Sequence, residues 1–543
     1  MRSRFHSQQT VLLVWGVILL LSPVYRSFAS TITAPDIDRT LRVSSFPGEI
    51  QLDPLRTYTS LEAQLYTAIY EGLVTPDPVT LRPIPGIART WQTSEGGTVY
   101  SFELRQSARF ADGTRITAEH FRDTFLAHLD PENPSPFSGF LDVVQGARDY
   151  RNGRGSAADV GIIAETPQRL RVELTHPAPY FLDLLAHQSM VVVHPADLPG
   201  AQKNEDTHPI GSGPFKITTF TPEELRLSRN PHYWEYNRID LEEILISFTD
   251  DTAAVAEDFN SGKIQWSMGN FSYLAINNPD FVMANPLFST SFFFFNHRQP
   301  EYRDPAVRRA LALLMPWEEL RSEQVYFSPT SQLIPEVPGF PAVSGIEESS
   351  IEDARRLLRE AGHPDGEGLP ALVIRIPSGG EHRRLAELIQ AAIAGNTGIP
   401  VELEIIPGAE GYYDRLDDSD YTIASITWIG DYLDPLTFLM LFISDSGINE
   451  SGYDNPAYDE LIERSHRADR DQRRELLAEA ERMLLQEGTV WPISHTVAFH
   501  LVNTQELEGW FPTALDIHPF KFMRRIEFLP GPGITQGYQF DEP

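Results

Sequence analysis

The sequence predicts an α/β protein with mixed sheets, and three observations lead to that prediction. Residues 372–376, 383–394 and 401–405 have the patterns of a strand, a helix and a strand, and such a β-α-β unit pairs its strands in parallel. Four consecutive phenylalanines, at residues 292–295, are typical of a strand that is buried on both faces. An apolar run at residues 497–502 predicts a late strand that returns to earlier structure.

The first half of the chain alternates short predicted strands with predicted helices. Thr59 or Ser60 is a suitable N-cap for the first helix, which has apolar residues at helical spacing. A Gly-Ser-Gly sequence at residues 211–213 precedes a strand pattern and no helix, which excludes a nucleophile elbow and a phosphate loop and favours a tight crossover between domains. Strands are predicted at residues 41–46, 99–104, 169–174 and 215–220, and helices at residues 60–70, 117–128 and 180–185.

The second half of the chain is richer in predicted helices. Asp304-Pro305 is a typical helix start, because Pro is favoured at the first helical position. A short apolar run at residues 421–426 predicts a buried strand. Helices are predicted at residues 306–315, 351–361, 458–467 and 473–486.

The composition describes a globular protein with a sizeable core. The 543 residues are enough for about three domains, and 41% of them are hydrophobic. The sequence contains no Cys, which excludes disulfides, thiol chemistry and a lipid-modified N-terminal cysteine. A net charge of −32 disfavours nucleic acid and anionic membranes as partners, and it attracts cations.

The N-terminus has the pattern of a secretory signal peptide. Two arginines and a histidine precede an apolar run at residues 11–21, and small residues around Ala29 permit cleavage there. The run is shorter than the roughly 18 residues usually needed to span a bilayer, so an uncleaved membrane anchor is kept only as the alternative. Cleavage after residues 1–29 would remove three Arg and no acidic residue and would change the net charge to −35. We therefore expect a soluble monomer in an exported compartment.

No catalytic or metal-binding motif is evident in the sequence. It has no zinc-protease motif, no dinucleotide or nucleoside-triphosphate fingerprint and no pair of histidines at helical spacing. The acidic run Asp417-Asp418-Ser419-Asp420 predicts a solvated turn, with calcium binding as the alternative. A large exported chain without a catalytic set predicts a binding protein and no enzyme, with no cofactor and no bound metal.

The most informative stretch is residues 427–435, directly after a predicted strand. Trp428 supplies an aromatic face and Asp431 a negative charge at the strand end, an arrangement that suits a positively charged ligand group. The alternative is a strand end with a buried Trp and an aspartate that caps the next turn. Asp434, which precedes Pro435, is expected to shape that turn.

Six sequence blocks, in this order along the chain, resemble the large substrate-binding proteins of peptide-importing ABC transporters, the oligopeptide- and dipeptide-binding family (solute-binding protein family 5). The resemblance extends from about residue 40 to about residue 528. The blocks are Tyr70-Glu71-Gly72-Leu73-Val74, Phe110-Ala111-Asp112-Gly113-Thr114, Gly211-Ser212-Gly213-Pro214-Phe215, Arg229-Asn230-Pro231-His232-Tyr233-Trp234, Phe294-Phe295-Asn296 with residues 304–311, and residues 428–435.

This resemblance implies a two-lobed periplasmic-binding-protein fold, of type II and cluster C, with a hinged central cleft and an extra inserted domain. Lobes of this kind close around a ligand by a hinge motion. The implied segments are residues 30–77, 201–290 and 498–529 for lobe I, residues 78–200 for the inserted domain, residues 291–497 for lobe II and residues 530–543 for a disordered tail.

The resemblance also implies a function and a site. A periplasmic member of this family captures oligopeptides in the cleft and delivers them to the membrane permease subunits of an ABC importer. The peptide lies extended and pairs its backbone with strand edges on both sides. Carried over by motif, one edge is Thr427, Trp428 and Ile429, the other is Glu71, Gly72 and Leu73, and Asp431 takes the α-ammonium group.

One departure from the family pattern bears on the ligand. Family members that clamp short peptides carry an Arg six residues before the ammonium-binding Asp, and Ser425 stands there in this chain. Capture of a peptide carboxylate and the preferred peptide length therefore stay open. The alternatives are the same fold with a nickel complex or an oligosaccharide as ligand, a peptide sensor without transport, and a secreted hydrolase.

Overall fold

A computed structural model describes residues 38–527, except residue 49 and residues 57–58, 202–207 and 323–326. The signal peptide predicted at residues 1–29 and the tail predicted at residues 530–543 lie outside these described residues. In the part of the chain that is described, no helix has the length and the apolar character needed to cross a membrane.

The strands are numbered in chain order. They are β1 (Thr40–Ser45), β2 (Val74–Pro76), β3 (Pro83–Pro85), β4 (Ala88–Ser94), β5 (Val99–Leu104), β6 (Ile162–Thr166), β7 (Arg169–Glu173), β8 (Phe215–Phe220), β9 (Glu224–Arg229), β10 (Glu243–Phe248), β11 (Trp266–Ser267), β12 (Val282–Phe295), β13 (Phe327–Pro329), β14 (Leu372–Pro377), β15 (Val401–Ile406), β16 (Ile423–Ile429), β17 (Val490–Val502), β18 (Leu507–Glu508) and β19 (Arg524–Arg525).

The helices follow the same numbering. They are α1 (Ser60–Ile69), α2 (Ala118–His128), α3 (Ala147–Arg151), α4 (Phe181–Leu185), α5 (Thr252–Asn260), α6 (Pro305–Leu313), α7 (Trp317–Leu320), α8 (Ile351–Glu360), α9 (Gly380–Asn396), α10 (Ala409–Tyr413), α11 (Leu436–Leu439), α12 (Pro456–Arg467) and α13 (Arg470–Gln486). Thr59 is the N-cap of α1 and forms a capping box with Glu62, in agreement with the sequence prediction.

Most of the larger strands form one mixed sheet. Its order is β15-β14-β16-β12-β17-β11-β1-β10-β9-β8, and β13 also pairs with β17. Strands β14 and β15 run parallel and are connected by α9, so the predicted β-α-β unit is confirmed. The four phenylalanines at residues 292–295 lie in β12 and are at most 3% exposed, which confirms the prediction of a buried strand.

Two long strands, β12 and β17, connect the two halves of this sheet. Over residues 289–295, β12 pairs with β16. It pairs with β17 along most of its length, and the end of β17 pairs in turn with β11. The register of the β12–β17 pair shifts between Pro286 and Thr290 and again after Ser291, and irregularities of this kind bend and twist a ladder. The halves therefore meet along a bent pair of strands.

A separate sheet lies within residues 78–200. It is antiparallel, with the order β4-β5-β7-β6, and its strands pair only with one another among the described residues. Helices α2, α3 and α4 belong to the same stretch of chain. This arrangement fits the inserted domain implied at residues 78–200, whose exact limits, like those of the two lobes, stay predictions.

The Gly-Ser-Gly crossover passes close to the end of α1. A Cβ atom at Gly211 would lie 2.1 Å from the backbone oxygen of Ile69, and one at Gly213 would lie 2.6 Å from the backbone oxygen of Ala68. Between them, the Ser212 hydroxyl accepts a hydrogen bond from a backbone N–H two residues after α1. Glycine is required here by space, and the prediction of a tight crossover is confirmed.

The acidic run at residues 417–420 forms the predicted solvated turn, with the side chains of Asp417, Asp418 and Asp420 between 44% and 77% exposed, and it also pairs with an arginine. Arg375 on β14 has a fully buried side chain, and its guanidinium donates to Glu404 at 2.7 Å, to Asp418 at 3.3 Å and to Asp420. A buried guanidinium needs anionic partners, and the acidic run supplies two of them. The calcium alternative is not needed to explain these carboxylates.

Substitution Gly211→Ala should destabilise the fold by about 3 kcal/mol or more, because the added Cβ would meet backbone atoms that have no room to move. The matched control is Gly395→Ala on α9, where nothing lies within 4 Å of the new Cβ. That change should stabilise the protein by about 0.5–1 kcal/mol. Urea unfolding measures both, and an unchanged midpoint for Gly211→Ala would contradict the close approach.

Candidate ligand-binding site

The free edge of β16 is the first feature of the site. Strand β14 pairs with β16 only as far as Ala424, so in the described chain β16 has no strand partner on that side beyond this residue. Ser425 directs its backbone N–H and C=O to this side, where both bond to the Tyr412 hydroxyl. Because backbone groups alternate along a strand, Thr427 and Ile429 point the same way. Their N–H and C=O groups can therefore pair with an extended ligand.

A cavity of about 250 Å³ lies along this edge. The Trp428 indole is part of its wall, and the indole Nε1 is buried without a hydrogen-bond partner among the described residues. Segments far apart in the sequence contribute to the lining, namely residues 426–431, Thr59 and Ser60, His187 and Gln188, and Leu515 and Ile517. The structure thus brings Thr427, Trp428, Ile429 and Asp431 together around one cavity.

Asp431 lies at the end of this edge with a side chain that is only 9% exposed. Its Oδ2 accepts a hydrogen bond from Thr437 Oγ1 at 3.0 Å, and its Oδ1 lies 3.3 Å from His187 Nε2. His187 Nδ1 accepts a hydrogen bond from the Ser189 backbone N–H at 3.2 Å, which places the ring proton on Nε2, facing Asp431. The carboxylate is therefore oriented by a hydroxyl and a histidine rather than by an Arg or Lys.

Asp434 has a different environment. It forms a two-pronged ion pair with Arg473 on α13, at 2.7 and 2.8 Å, and its Oδ1 also accepts a hydrogen bond from the Leu436 backbone N–H at 3.0 Å. These contacts agree with the sequence prediction that Asp434 shapes the turn.

The predicted second edge differs from a free strand edge. The carbonyl of Glu71 accepts from Val192 N–H, that of Gly72 from Ile87 N–H, and that of Leu73 from Gly86 and Ala88 N–H. Glu71 and Gly72 line a small cavity of about 30 Å³, which shares His187 and Gln188 with the cavity at Asp431, whereas Leu73 is fully buried. The structure therefore places two of these three residues near the site, with their carbonyl oxygens already bonded.

The Glu71 carboxylate is buried and hydrogen bonded within the protein. It accepts hydrogen bonds from Tyr233 Oη at 2.7 Å, from Trp234 Nε1 and from Lys521 Nζ at 2.8 Å, and its side chain is 3% exposed. Any contact of Glu71 with a ligand would have to come from its backbone. The side chain holds the C-terminal segment against the end of α1 instead.

A larger cavity, of about 790 Å³, shares Thr59 and Ser60 with the cavity at Asp431. His500, Asp516 and His518 line it, and each of them is at least 85% buried in its side chain. Sequence analysis missed this cluster because His500 lies on β17, sixteen residues from Asp516. The sequence offers only a weak signal for this cluster, namely an aspartate and a histidine two positions apart at Asp516 and His518.

These three side chains form the candidate metal cluster among the described residues, with their ligand atoms within 4.8 Å of one another. The hydrogen bond that His500 accepts argues against a metal. Trp266 Nε1 donates to His500 Nδ1 at 3.2 Å, which leaves the ring proton on Nε2, 2.9 Å from Asp516 Oδ1. A metal-bound histidine donates through its other ring nitrogen, and the indole N–H blocks that arrangement. The cluster is instead suited to holding the carboxylate in place.

Carboxylates determine the charge of both cavities. Asp431 and Glu450 line the smaller one, and Asp414 and Asp516 line the larger one. No Arg or Lys is found among the described residues that line either of them. A ligand carboxylate would find no cationic side chain here, and the absence of Arg at Ser425 has no substitute in these walls. The cavities favour a ligand that carries positive charge.

A third cavity, of about 550 Å³, lies between residues 139–184 and residues 432–467. Two histidines stack in its wall, His176 and His466, with ring centroids 4.9 Å apart. Tyr180 Oη lies 3.1 Å from His466 Nδ1 and can donate to it. Burial, His176 and Arg473 lower the pKa of His466 to about 3, so this ring stays neutral in the folded protein.

Stability should fall as the pH decreases from 7 to 5. The unfolded chain binds a proton on His466 below a pKa of about 6.5, whereas the folded protein does not, so the loss from this residue is about 2 kcal/mol. Thermal unfolding at both pH values is the measurement. His466→Gln should reduce the pH dependence, and the exposed His208→Gln should leave it unchanged. Equal pH dependence in both variants would contradict a neutral buried His466.

Lys521→Met should destabilise the protein by about 3–5 kcal/mol, because Glu71 would keep its buried charge without the ammonium partner. The matched control is Lys263→Met, whose ammonium pairs with Asp258 at the surface, with both side chains at least 42% exposed. That change should cost less than about 1 kcal/mol. Chemical unfolding compares the two, and equal losses would show that the Glu71 pair is not desolvated.

Comparisons with known proteins place the chain in a family. It is 28% identical over 512 residues to the periplasmic oligopeptide-binding protein OppA of Salmonella typhimurium, which covers 89% of this chain and 92% of that protein. It is 26% identical over 488 residues to the oligopeptide-binding protein OppA of Bacillus subtilis, with 84% and 87% covered.

Solved structures share the fold. The Escherichia coli murein tripeptide binding protein MppA matches with a TM-score of 0.80 at 25% identity, over 90% of this chain and 98% of that one. Haemophilus influenzae OppA, solved in complex with the peptide RPPGFSPFR, matches with a TM-score of 0.80 at 22% identity, over 91% and 100%. These likenesses confirm the two-lobed periplasmic-binding fold. Residues 82–450 match the middle region of the bacterial extracellular solute-binding proteins of family 5, and the chain belongs to that family.

Proposed function

We propose that this protein captures oligopeptides in the cavity along β16 and delivers them to an ABC importer. The observation that carries the proposal is the free edge at Thr427 and Ile429, which leads to the buried carboxylate of Asp431. An extended peptide would pair its backbone with that edge, as an added strand does. Its α-ammonium group would then reach Asp431, which supplies the charge that a desolvated ammonium requires. The relatives named above are binding proteins for oligopeptides or a murein tripeptide.

The surroundings of Asp431 support this part of the proposal. Thr437 and His187 fix the direction of the carboxylate without neutralising it with a cationic residue. The Trp428 indole, whose N–H has no partner in the described chain, offers a donor and an aromatic face beside the first peptide residue. Backbone pairing with these elements would bind peptides of many sequences.

The segment Glu71 to Leu73 could pair with a ligand only under a further condition. Its three carbonyl oxygens are bonded within the protein, so pairing with a ligand requires that they accept a second hydrogen bond or that neighbouring segments move. Lobe closure on ligand binding is part of the same proposal. The bent β12–β17 pair between the halves of the sheet supports it as the hinge, with lobe limits at residues 290–291 and 497–498.

Export and partners complete the proposal. The protein would act as a periplasmic monomer, released by cleavage near Ala29, and would present its bound peptide to permease subunits in the membrane. The support is the composition of residues 1–29 and a net charge of −35 after their removal, which opposes self-association.

The test is calorimetric titration with a peptide that has a free N-terminus and with the same peptide N-acetylated. Asp431→Asn keeps the shape of the side chain and removes its charge. It should weaken binding of the free peptide by about 3–5 kcal/mol, because the ammonium would be left unpaired. Acetylation should weaken the wild-type complex strongly and the variant complex hardly at all.

Asp471→Asn is the matched control, because this carboxylate is 92% exposed on α13 and its loss changes the net charge equally. The control should behave as the wild type does. If acetylation weakens wild type and Asp431→Asn equally, Asp431 does not bind the ammonium group. If no peptide binds the wild-type protein, peptide capture itself is wrong.

A further inference from the structure

Asp516 presents one carboxylate oxygen to the 790 Å³ cavity. Its Oδ1 accepts from Asn285 Nδ2 at 2.9 Å and lies 2.9 Å from His500 Nε2 and 3.4 Å from His518 Nε2. Oδ2 has no hydrogen-bond partner in the described chain, and the side chain is 15% exposed, where it lines the cavity. One oxygen is thus used to fix the group, and the other is free to bind.

The backbone also holds Asp516 in a fixed position. Its φ of +57° is in the left-handed region, which non-glycine residues seldom adopt. The turn that carries it is closed by Thr513, whose hydroxyl accepts from Ile517 N–H and donates to Ile517 C=O, both at 3.1 Å. A strained residue held by its surroundings is a common feature of binding sites. Asp516 is therefore held in a fixed direction at the wall of the cavity by the turn and by the contacts of its Oδ1.

The charge of Asp516 is retained. Burial alone would raise its pKa, but the hydrogen bond with His500 and the proximity of His518 hold the pKa far below its usual range. His500 is directed by Trp266 to donate through Nε2, as described above, and His518 Nδ1 lies 2.7 Å from the Phe511 carbonyl oxygen, to which it can donate. The carboxylate is ionised and oriented, and no Arg or Lys of the described chain pairs with it.

The cavity around Asp516 suits a cation on an apolar stem. Phe46, which is 48% exposed, and Met268 contribute apolar surface to the lining, and Asp414 stands exposed on residues that follow β15. The described lining residues contain no Arg or Lys. Lysine and arginine side chains combine an aliphatic stem with a charged end, so their stems would cover the apolar wall while the charge meets the carboxylate.

We propose that Asp516 is a second cation subsite of the ligand cleft, which accepts the ammonium or guanidinium group of a Lys or Arg side chain of the bound peptide. The inference rests on the proposed capture of peptides and adds to it a preference for basic ligands. The two subsites adjoin each other, because Thr59 and Ser60 line both the cavity of Asp516 and that of Asp431. One peptide can therefore occupy both, with its N-terminus at Asp431 and a basic side chain at Asp516.

The test is a calorimetric scan with alanine peptides that carry one Arg at each position after the first, each compared with the same peptide carrying citrulline. Citrulline keeps the shape of Arg and lacks its charge. At one position, wild-type protein should bind the Arg peptide at least about tenfold more tightly than the citrulline peptide, and about tenfold corresponds to about 1.4 kcal/mol.

Asp516→Asn should abolish this difference and leave the affinity for the citrulline peptides unchanged. Asn tolerates the left-handed backbone and can still accept from His500, so the variant is expected to fold. Asp471→Asn, the exposed control, should keep the full preference for Arg.

The outcomes separate the two proposals. If alanine peptides bind but Arg and citrulline peptides bind equally at every position, the second subsite is wrong and peptide capture stands. A preference for Arg that survives Asp516→Asn also overturns the subsite. If no peptide of the series binds the wild-type protein, both proposals are wrong. Should Asp516→Asn fail to fold, the comparison of Arg with citrulline on wild type still decides the preference.

Discussion

The site depends on the antiparallel pairing of β12 with β17. These are the strands that join the halves of the sheet, because β12 continues into the pair with β16 and β17 continues into the pair with β11. Strand β16 pairs with β12 on one side, and no strand of the described chain pairs with its other side beyond Ala424. The same backbone ladder therefore builds the binding edge and connects the lobes. The register shifts bend the β12–β17 pair. One continuous ladder can therefore connect two lobes that lie on either side of a cleft.

A buried ion pair fixes the second wall of the cleft. Glu71 and Lys521 are 450 residues apart in the chain, and both side chains are at most 6% exposed. Their contact ties the C-terminal segment to the end of α1, where Gly211 and Gly213 also approach the backbone. The turn that carries Asp516 lies directly before Lys521 on that segment. The pair therefore anchors the segment whose preceding turn carries Asp516.

Local patterns allowed most elements to be predicted, and long-range contacts account for what was missed. The β-α-β unit, the Phe-rich strand and the capping box at Thr59 each depend on a few consecutive residues, and all are present. The acidic run at residues 417–420 forms the expected turn, but its pairing with Arg375, about forty residues away, was not predicted. Single-sequence patterns likewise could not show that the Glu71 carboxylate faces Lys521, or that His500 meets Asp516.

Acidic side chains of this protein differ in the partners that orient them. Glu71, Asp434 and Glu404 each pair with a Lys or Arg, so their charge is used inside the fold.

Asp431 and Asp516 face histidines instead. In both cases another N–H group, from the Ser189 backbone or from Trp266, donates to Nδ1 of that histidine, which puts the ring proton on the nitrogen that faces the carboxylate. In both cases the imidazole orients the carboxylate through one N–H, and no Arg or Lys of the described chain pairs with that carboxylate. The attraction of each carboxylate for a cation is therefore preserved for a ligand. Two such carboxylates lie in adjoining cavities, and the described residues of these two walls include no Arg or Lys, so the cavities favour a ligand that carries positive charge.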